Sequence, residues 1–163
     1  MKSSGIKTST VLASFLLAAC LSMHAEVKLP AIFSDGMVMQ QQTNANLWGT
    51  ATPNKKVTVT TGWNGKQYAV TADKNGSWKL SVSTPEAGGP YTITFDDGTP
   101  KTLNNILIGE LWLCSGQSNM EMPMKGFKNQ PVENANMDIL RSKNPHIRLF
   151  TVKRTSTLPH RTT

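Results

Sequence analysis

Ser118 lies in Gly116-Gln117-Ser118-Asn119, directly after the apolar run Ile106-Leu107-Ile108-Gly109-Glu110-Leu111-Trp112-Leu113-Cys114. A run of this kind is expected to form a strand buried on both faces. A serine in a tight turn after such a strand stands at its C-terminal end, the edge of an open α/β sheet where ligands bind. Gly116 is expected to let the chain turn sharply there. The chemistry this allows is acyl transfer, with the Ser118 hydroxyl as nucleophile and its backbone N–H as one donor to the oxygen that becomes negative. A competing assignment makes Ser118 a helix N-cap, because Ser118-Asn119-Met120-Glu121 fits the Ser-x-x-Glu capping box. Pro123 counts against it, since a helix starting at Asn119 would meet proline at its fifth position and lose a backbone bond.

Other side chains offer less. Cys114 ends the apolar run and is expected to be a small buried hydrophobe rather than a thiol nucleophile. Trp48, Trp78 and Trp112 are expected in the core, with only Trp63, beside Asn64-Gly65, exposed. Met37, Met39, Met120, Met122 and Met124 have no metal-site spacing with His or Cys and read as packing, so no metal and no cofactor is expected. A serine esterase needs a base for the hydroxyl proton and a group to orient that base. Outside the first 25 residues the histidines are His146, just before an expected strand, and His160 in the polar tail.

The segment Gly109-Glu110-Leu111-Trp112-Leu113-Cys114-Ser115-Gly116-Gln117-Ser118-Asn119-Met120-Glu121-Met122-Pro123-Met124 resembles the nucleophile block of the sialate O-acetylesterase family, serine esterases of the SGNH-hydrolase type. Met120, where the elbow of α/β-hydrolases has glycine, argues against that other fold. Phe33-Ser34-Asp35-Gly36-Met37-Val38-Met39-Gln40, Trp48-Gly49, Asp73-Lys74-Asn75-Gly76-Ser77-Trp78 and Gly89-Pro90-Tyr91-Thr92 are similar to that family's N-terminal β-domain, and the resemblance runs from about Val27 to Lys153. It implies that Ser118 is the nucleophile, in a turn made by Gly116, Gln117 and Asn119, and that the substrate is an O-acetylated sialic acid or a related acetylated sugar. It also implies an Asp-x-x-His pair and two further oxyanion donors, a glycine and an asparagine, for which this sequence has no matching positions. A non-catalytic glycan-binding or adhesion module is the alternative.

The elements that must position this segment follow from periodicity. Short β-rich stretches are expected at 37–40, 45–49, 56–61, 67–71, 77–82, 91–95 and 101–107, with Val57 and Val59 alternating with Thr58 and Thr60. Asn64-Gly65 and Asn75-Gly76 are expected at two-residue hairpin corners, and Pro53, Pro85 and Pro90 outside strand interiors. These stretches suggest an all-β sandwich over 26–106. Beyond it, the strand before Ser118, a helix beginning near Pro131 and carrying Val132, Ala135, Met137, Ile139 and Leu140 inward, and a strand at 147–152 make the opening of an α/β, flavodoxin-like SGNH domain over 107–163. Residues 155–163 add no element that would finish such a sheet, so a truncated domain is expected.

Residues 1–25 have the parts of a secretory signal: Lys2 and Lys7, an apolar core at 11–19, then small residues. Leu17-Ala18-Ala19-Cys20 also looks like a lipoprotein box, which would place a lipid anchor on Cys20. Removing the signal takes two lysines from a formal charge of +7. The remaining basic residues are scattered, which excludes a nucleic-acid groove as the natural reading. With Cys20 in the leader, Cys114 has no internal partner for a disulfide. The expected destination is secreted, periplasmic or lipid-anchored at the cell envelope. Mass spectrometry of the protein from its host checks this: a diacylated start at Cys20 or a free start at Glu26 is expected, and an intact Met1 refutes both.

Overall fold

The computed structural model describes residues 26–152. Within them lie seven strands, β1 (Val38–Gln40), β2 (Asn44–Thr50), β3 (Lys56–Thr61), β4 (Gln67–Thr71), β5 (Ser77–Ser83), β6 (Gly88–Asp96) and β7 (Pro100–Gly109), followed by two short helices, α1 (Ser118–Glu121) and α2 (Ala135–Arg141). Five strands form one sheet in the order β1-β7-β6-β3-β4, and β2 pairs with β5 in a second. Lys28 extends the smaller sheet by pairing with Thr50. All pairings within the strands are antiparallel except β1 with β7.

Alternation makes the core. In β3, Val57, Val59 and Thr61 point inward and are fully buried, while Thr58 and Thr60 are half-buried on the other face. Ile93 and Phe95 of β6 and Ile106 and Ile108 of β7 meet them, and Leu47, Trp78 and Val82 of the smaller sheet belong to the same cluster. Trp78 lies 5.9 Å from Phe95, centroid to centroid. The two sheets therefore share one apolar interior.

The alternation in β7 is broken once. Tyr91 pairs with Ile106 and Ile93 with Leu103, so two steps on β6 face three on β7. Asn105 takes up the extra residue with a φ of 57°. Asparagine tolerates this left-handed conformation better than a branched residue, and the bulge keeps Leu103, Ile106 and Ile108 all on the inner face. The bulge is held from outside: the Asn104 N–H donates to Asp35 Oδ1 at 2.7 Å, and the Gly36 N–H to the Asn104 carbonyl at 3.0 Å.

Several expected features differ. Residues 62–66 join β3 to β4 as a longer loop, in which Asn64 Oδ1 accepts from the Thr61 hydroxyl and the Lys66 N–H and Gly65 has φ 66°. Asn75-Gly76 is not a hairpin corner, since β4 and β5 belong to different sheets. There Asp73 Oδ1 accepts from the Asn75 and Ser77 N–H groups, and at Gly76 (φ 81°) any Cβ would collide with the Ala51 carbonyl. Pro90 lies inside β6, at a register irregularity between Gly88 and Tyr91, where its missing N–H costs no ladder bond. Trp63 is half-buried and donates from Nε1 to the Ser83 carbonyl, whereas Trp48 is exposed beside Phe33, 4.6 Å away.

The largest departure is in the apolar run. Ile106 and Ile108 belong to β7 and fill the core, but β7 ends at Gly109, and Leu111, Trp112, Leu113 and Cys114 are exposed, Leu113 at 93%. No single strand buried on both faces spans 106–114. β1 stops at Gln40, opposite Gly109, so the residues beyond have no neighbour to pair with. Residues 147–152 form no strand and leave Leu149 and Val152 exposed. α2 begins at Ala135 rather than near Pro131 because Asn134 has φ 58°, and of the expected inner residues only Ala135 is buried. Met120, Met122 and Met124 are exposed rather than packed.

This division predicts a contrast in stability. Phe95→Ala is expected to cost about 3–5 kcal/mol, the range for a buried aromatic truncated to alanine, and Leu113→Ala less than about 0.5 kcal/mol. Urea denaturation followed by tryptophan fluorescence measures both, and equal losses would contradict the placement of the core.

Candidate active site

Ser118 is the first residue of α1, at the end of an exposed segment that leaves β7 at Gly109. The N-cap is Gln117, with no side-chain cap bond, so the capping box centred on Ser118 does not form. The turn closes instead through the Met120 N–H, which donates to the Gln117 carbonyl at 2.9 Å. Among the described residues neither the hydroxyl nor the N–H of Ser118 is engaged in a hydrogen bond. Gly116 does not adopt a left-handed φ; its role is room, since a Cβ there would stand 2.6 Å from Met120 Cγ. Gln117 and Asn119 are exposed beside Ser118.

The turn is followed by a second compact loop. The Gly126 N–H donates to the Pro123 carbonyl, and Phe127 and Gln130 exchange backbone bonds at 3.1 and 3.0 Å. Gly126 has φ 76° and is buried against Gln130 and Pro131, where any side chain would collide with backbone. Lys125, Pro131, Val132, Ala135 and Met137 line a shallow depression of about 220 Å³ beside this loop.

No described base meets Ser118. His146 is exposed in a turn in which its N–H donates to Asn144 Oδ1 at 2.9 Å, and it makes no hydrogen bond to Ser118. His160 and Cys20 lie outside the described residues.

The sequence reading missed the junction that launches this segment. Gln41 Nε2 donates to Glu110 Oε1 at 2.6 Å, and Gln40 Nε2 to Glu110 Oε2 at 3.1 Å. The Leu111 N–H donates to Gln40 Oε1 at 2.9 Å, and the Ala87 N–H to Gln41 Oε1 at 2.8 Å. The Gln41 N–H completes the joint by donating to the Gly109 carbonyl. The traces in sequence were three consecutive glutamines beginning at the last residue of β1 and one acid within an apolar run. Further on, Arg148 Nη2 donates to Asn105 Oδ1 at 3.3 Å and returns the chain to the β7 bulge.

No protein-family model matches the sequence. The sialate O-acetylesterase of Mus musculus is 33% identical over 150 residues, covering 84% of this chain and 27% of that protein. That of Homo sapiens is 30% identical over 119 residues, covering 67% and 23%. The crystal structure of a carbohydrate acetylesterase from Xanthomonas citri superposes with a TM-score of 0.57 and 36% identity, over 61% of this chain and 23% of that one. The chain belongs to the sialate O-acetylesterase family. It spans about a quarter of the length of these relatives. A match covering 84% of 163 residues must run through Ser118.

The two glutamine amides stabilise the ionised form of Glu110, Gln41 first and Gln40 second, and hold its carboxyl below the ordinary value of 4.5. Next to this joint Gln42 Nε2 donates to Glu86 Oε1 at 3.5 Å. Because the folded-state value is depressed, the carboxylate's contribution is complete above the ordinary value and is lost as pH falls through the lowered one. The joint should therefore stay closed at neutral pH. Following the Glu110 carboxyl carbon by NMR should give a midpoint below 4.5 that rises more in Gln41→Ala than in Gln40→Ala. A midpoint unchanged by both substitutions would contradict the contacts.

Proposed function

We propose that this chain carries the nucleophile of a serine esterase that removes O-acetyl groups from sialic acids. The observation that carries the reading is Ser118 itself: exposed, with hydroxyl and N–H both unengaged, in a turn within the stretch matched by the sialate O-acetylesterases. In this reading Ser118 Oγ attacks the acetyl carbonyl carbon and loses its proton to a base. The Ser118 N–H is one donor to the tetrahedral oxyanion. Collapse of that intermediate breaks the ester bond, and the sugar hydroxyl leaves with a proton. Water then hydrolyses acetyl-Ser118 to acetate. The base comes from outside the described residues, as the Asp-x-x-His pair of the resemblance implies. The fold assignment that accompanies this is a β-sandwich ending with β7, followed by the start of an SGNH-type α/β domain. Export by the signal at 1–25, with or without a lipid on Cys20, would bring the enzyme to acetylated sugars outside the cytoplasm.

A second reading, a non-catalytic glycan-binding module, has one observation in its favour: Trp48 is exposed on the outer face of β2, edge-on to Phe33, where a sugar ring could stack.

Acetate release from an O-acetylated sialoside and from an aryl acetate separates the two. The proteins compared are this chain, a longer protein in which it is followed by the remaining sequence of the Mus musculus relative, and each with Ser118→Ala. A base contributes about 10²–10⁴-fold and an oxyanion donor about 10²–10³-fold. The longer protein should therefore turn over, and Ser118→Ala should abolish it by at least about 10³-fold. Retained activity in Ser118→Ala refutes the nucleophile, and sialoside binding without acetate release by the longer protein favours the module.

A further inference from the structure

We propose that Gln40, Gln41 and Glu110 are positioning residues for Ser118, forming a hydrogen-bonded clamp that sets the direction in which the chain leaves β7. The proposal rests on the reading of Ser118 as nucleophile. The clamp joins three places: the end of β1 through Gln40 and Gln41, the chain just before β6 through Ala87, and the chain leaving β7 through Glu110 and Leu111.

Its logic lies in donors and acceptors. An ionised carboxylate only accepts, and each Glu110 oxygen takes one glutamine amide N–H. Each glutamine is then turned so that its carbonyl oxygen faces a backbone N–H, Leu111 for Gln40 and Ala87 for Gln41. Reversing either glutamine would set N–H against N–H. All four bonds therefore depend on Glu110 being an acceptor at both oxygens.

Between the clamp and the turn that begins at Gln117, no described hydrogen bond fixes the path. Residues 112–116 make no hydrogen bond among the described residues, and their side chains are exposed. Ser118 stands seven residues past Leu111, a reach of up to about 25 Å at 3.3–3.6 Å per residue. A change of about 10° at the root of such an arm displaces its tip by about 4 Å. Displacing a reacting group by about 1 Å already costs about 10²-fold in rate. The bonds at the root are solvent-exposed and add little to global stability, so their consequence is orientation.

The test uses an exchange of roles. Glu110→Gln sets an amide N–H against the Gln41 N–H, and Gln41→Glu sets two carboxylates against each other. In the double variant, Q41E/E110Q, the new amide oxygen accepts from Gln40, the new amide N–H donates to the new carboxylate, and that carboxylate still accepts from Ala87. All four bonds are restored with the roles reversed. In the 163-residue chain, each single variant should speed amide hydrogen exchange at Leu111 or Ala87 about 3–10-fold, the equilibrium worth of one hydrogen bond. Exchange at Val59 and Phe95 should not change, and the double variant should return to within about twofold of the parent. In the longer esterase each single variant should lose kcat by about 10²-fold with KM unchanged, and the double variant should recover it. Unaltered exchange in the single variants, failure of the double variant to recover, or a loss that spreads to Val59 and Phe95 overturns the clamp. Ser118→Ala run alongside distinguishes the readings. If it stays active, the nucleophile falls and the purpose assigned to the clamp falls with it. If it is dead while Glu110→Gln is fully active, only the clamp falls.

Discussion

β7 is the strand on which everything else hangs, and its length is set by its neighbours. A strand lying between two others persists only as far as its neighbours supply partners for its N–H and C=O groups. On one side β6 supplies them as far as Gly88, opposite Ile108, and on the other the three residues of β1 supply them as far as Gln40, opposite Gly109. Both edges run out within one residue of each other. The strand therefore ends at Gly109 although Leu111, Trp112 and Leu113 would suit a sheet by their side chains. The chain must leave just there, and the last paired residue of β1, Gln40, and the residue after it, Gln41, carry the glutamine amides onto Glu110.

The bulge at Asn105 governs which face that exit serves. Without the extra residue, Ile106 and Ile108 would turn outward, and Glu110, in phase with them, would turn as well. The bulge is bound by Asp35 on one side and reached by Arg148 on the other. The same short stretch of β7 thus orders the core, the loop before β1 and the segment returning from α2.

Period-two alternation made the seven strands legible, because each of them buries one face and Val57, Val59, Ile93 and Phe95 announce it directly. Composition could not divide the run at 106–114. An apolar stretch has the same signature whether it is one strand or the end of a strand followed by an exposed arm, and only the lengths of β1 and β6 decide between them. Asn75-Gly76 had the backbone chemistry of a tight turn but carried no information about which sheet the next strand would join. Ser118 was singled out by its local motif alone. The clamp was not, because its side-chain bonds link residues 46 to 71 positions apart, and no local pattern in either segment names the other.

The surroundings of Ser118 impose a last constraint. A backbone N–H stabilises an oxyanion strongly only where water is excluded, because the same dipole is screened in a site open to solvent. Ser118 is exposed, and so are Leu113, Met120, Met124 and Phe127, which flank it in sequence. α2, at seven residues, is too short to be stable by its own backbone bonds, and Met137, Ile139 and Leu140 lie open on it. If Ser118 is the nucleophile, the helix and the serine would both gain from burial of this segment under an apolar surface. Such a cover would stabilise α2 by burying those three side chains and, in the same step, remove water from Ser118. On the reading of Ser118 as nucleophile, the clamp would set where the serine is presented, and exclusion of water from the turn would set how strongly its N–H could act on an oxyanion.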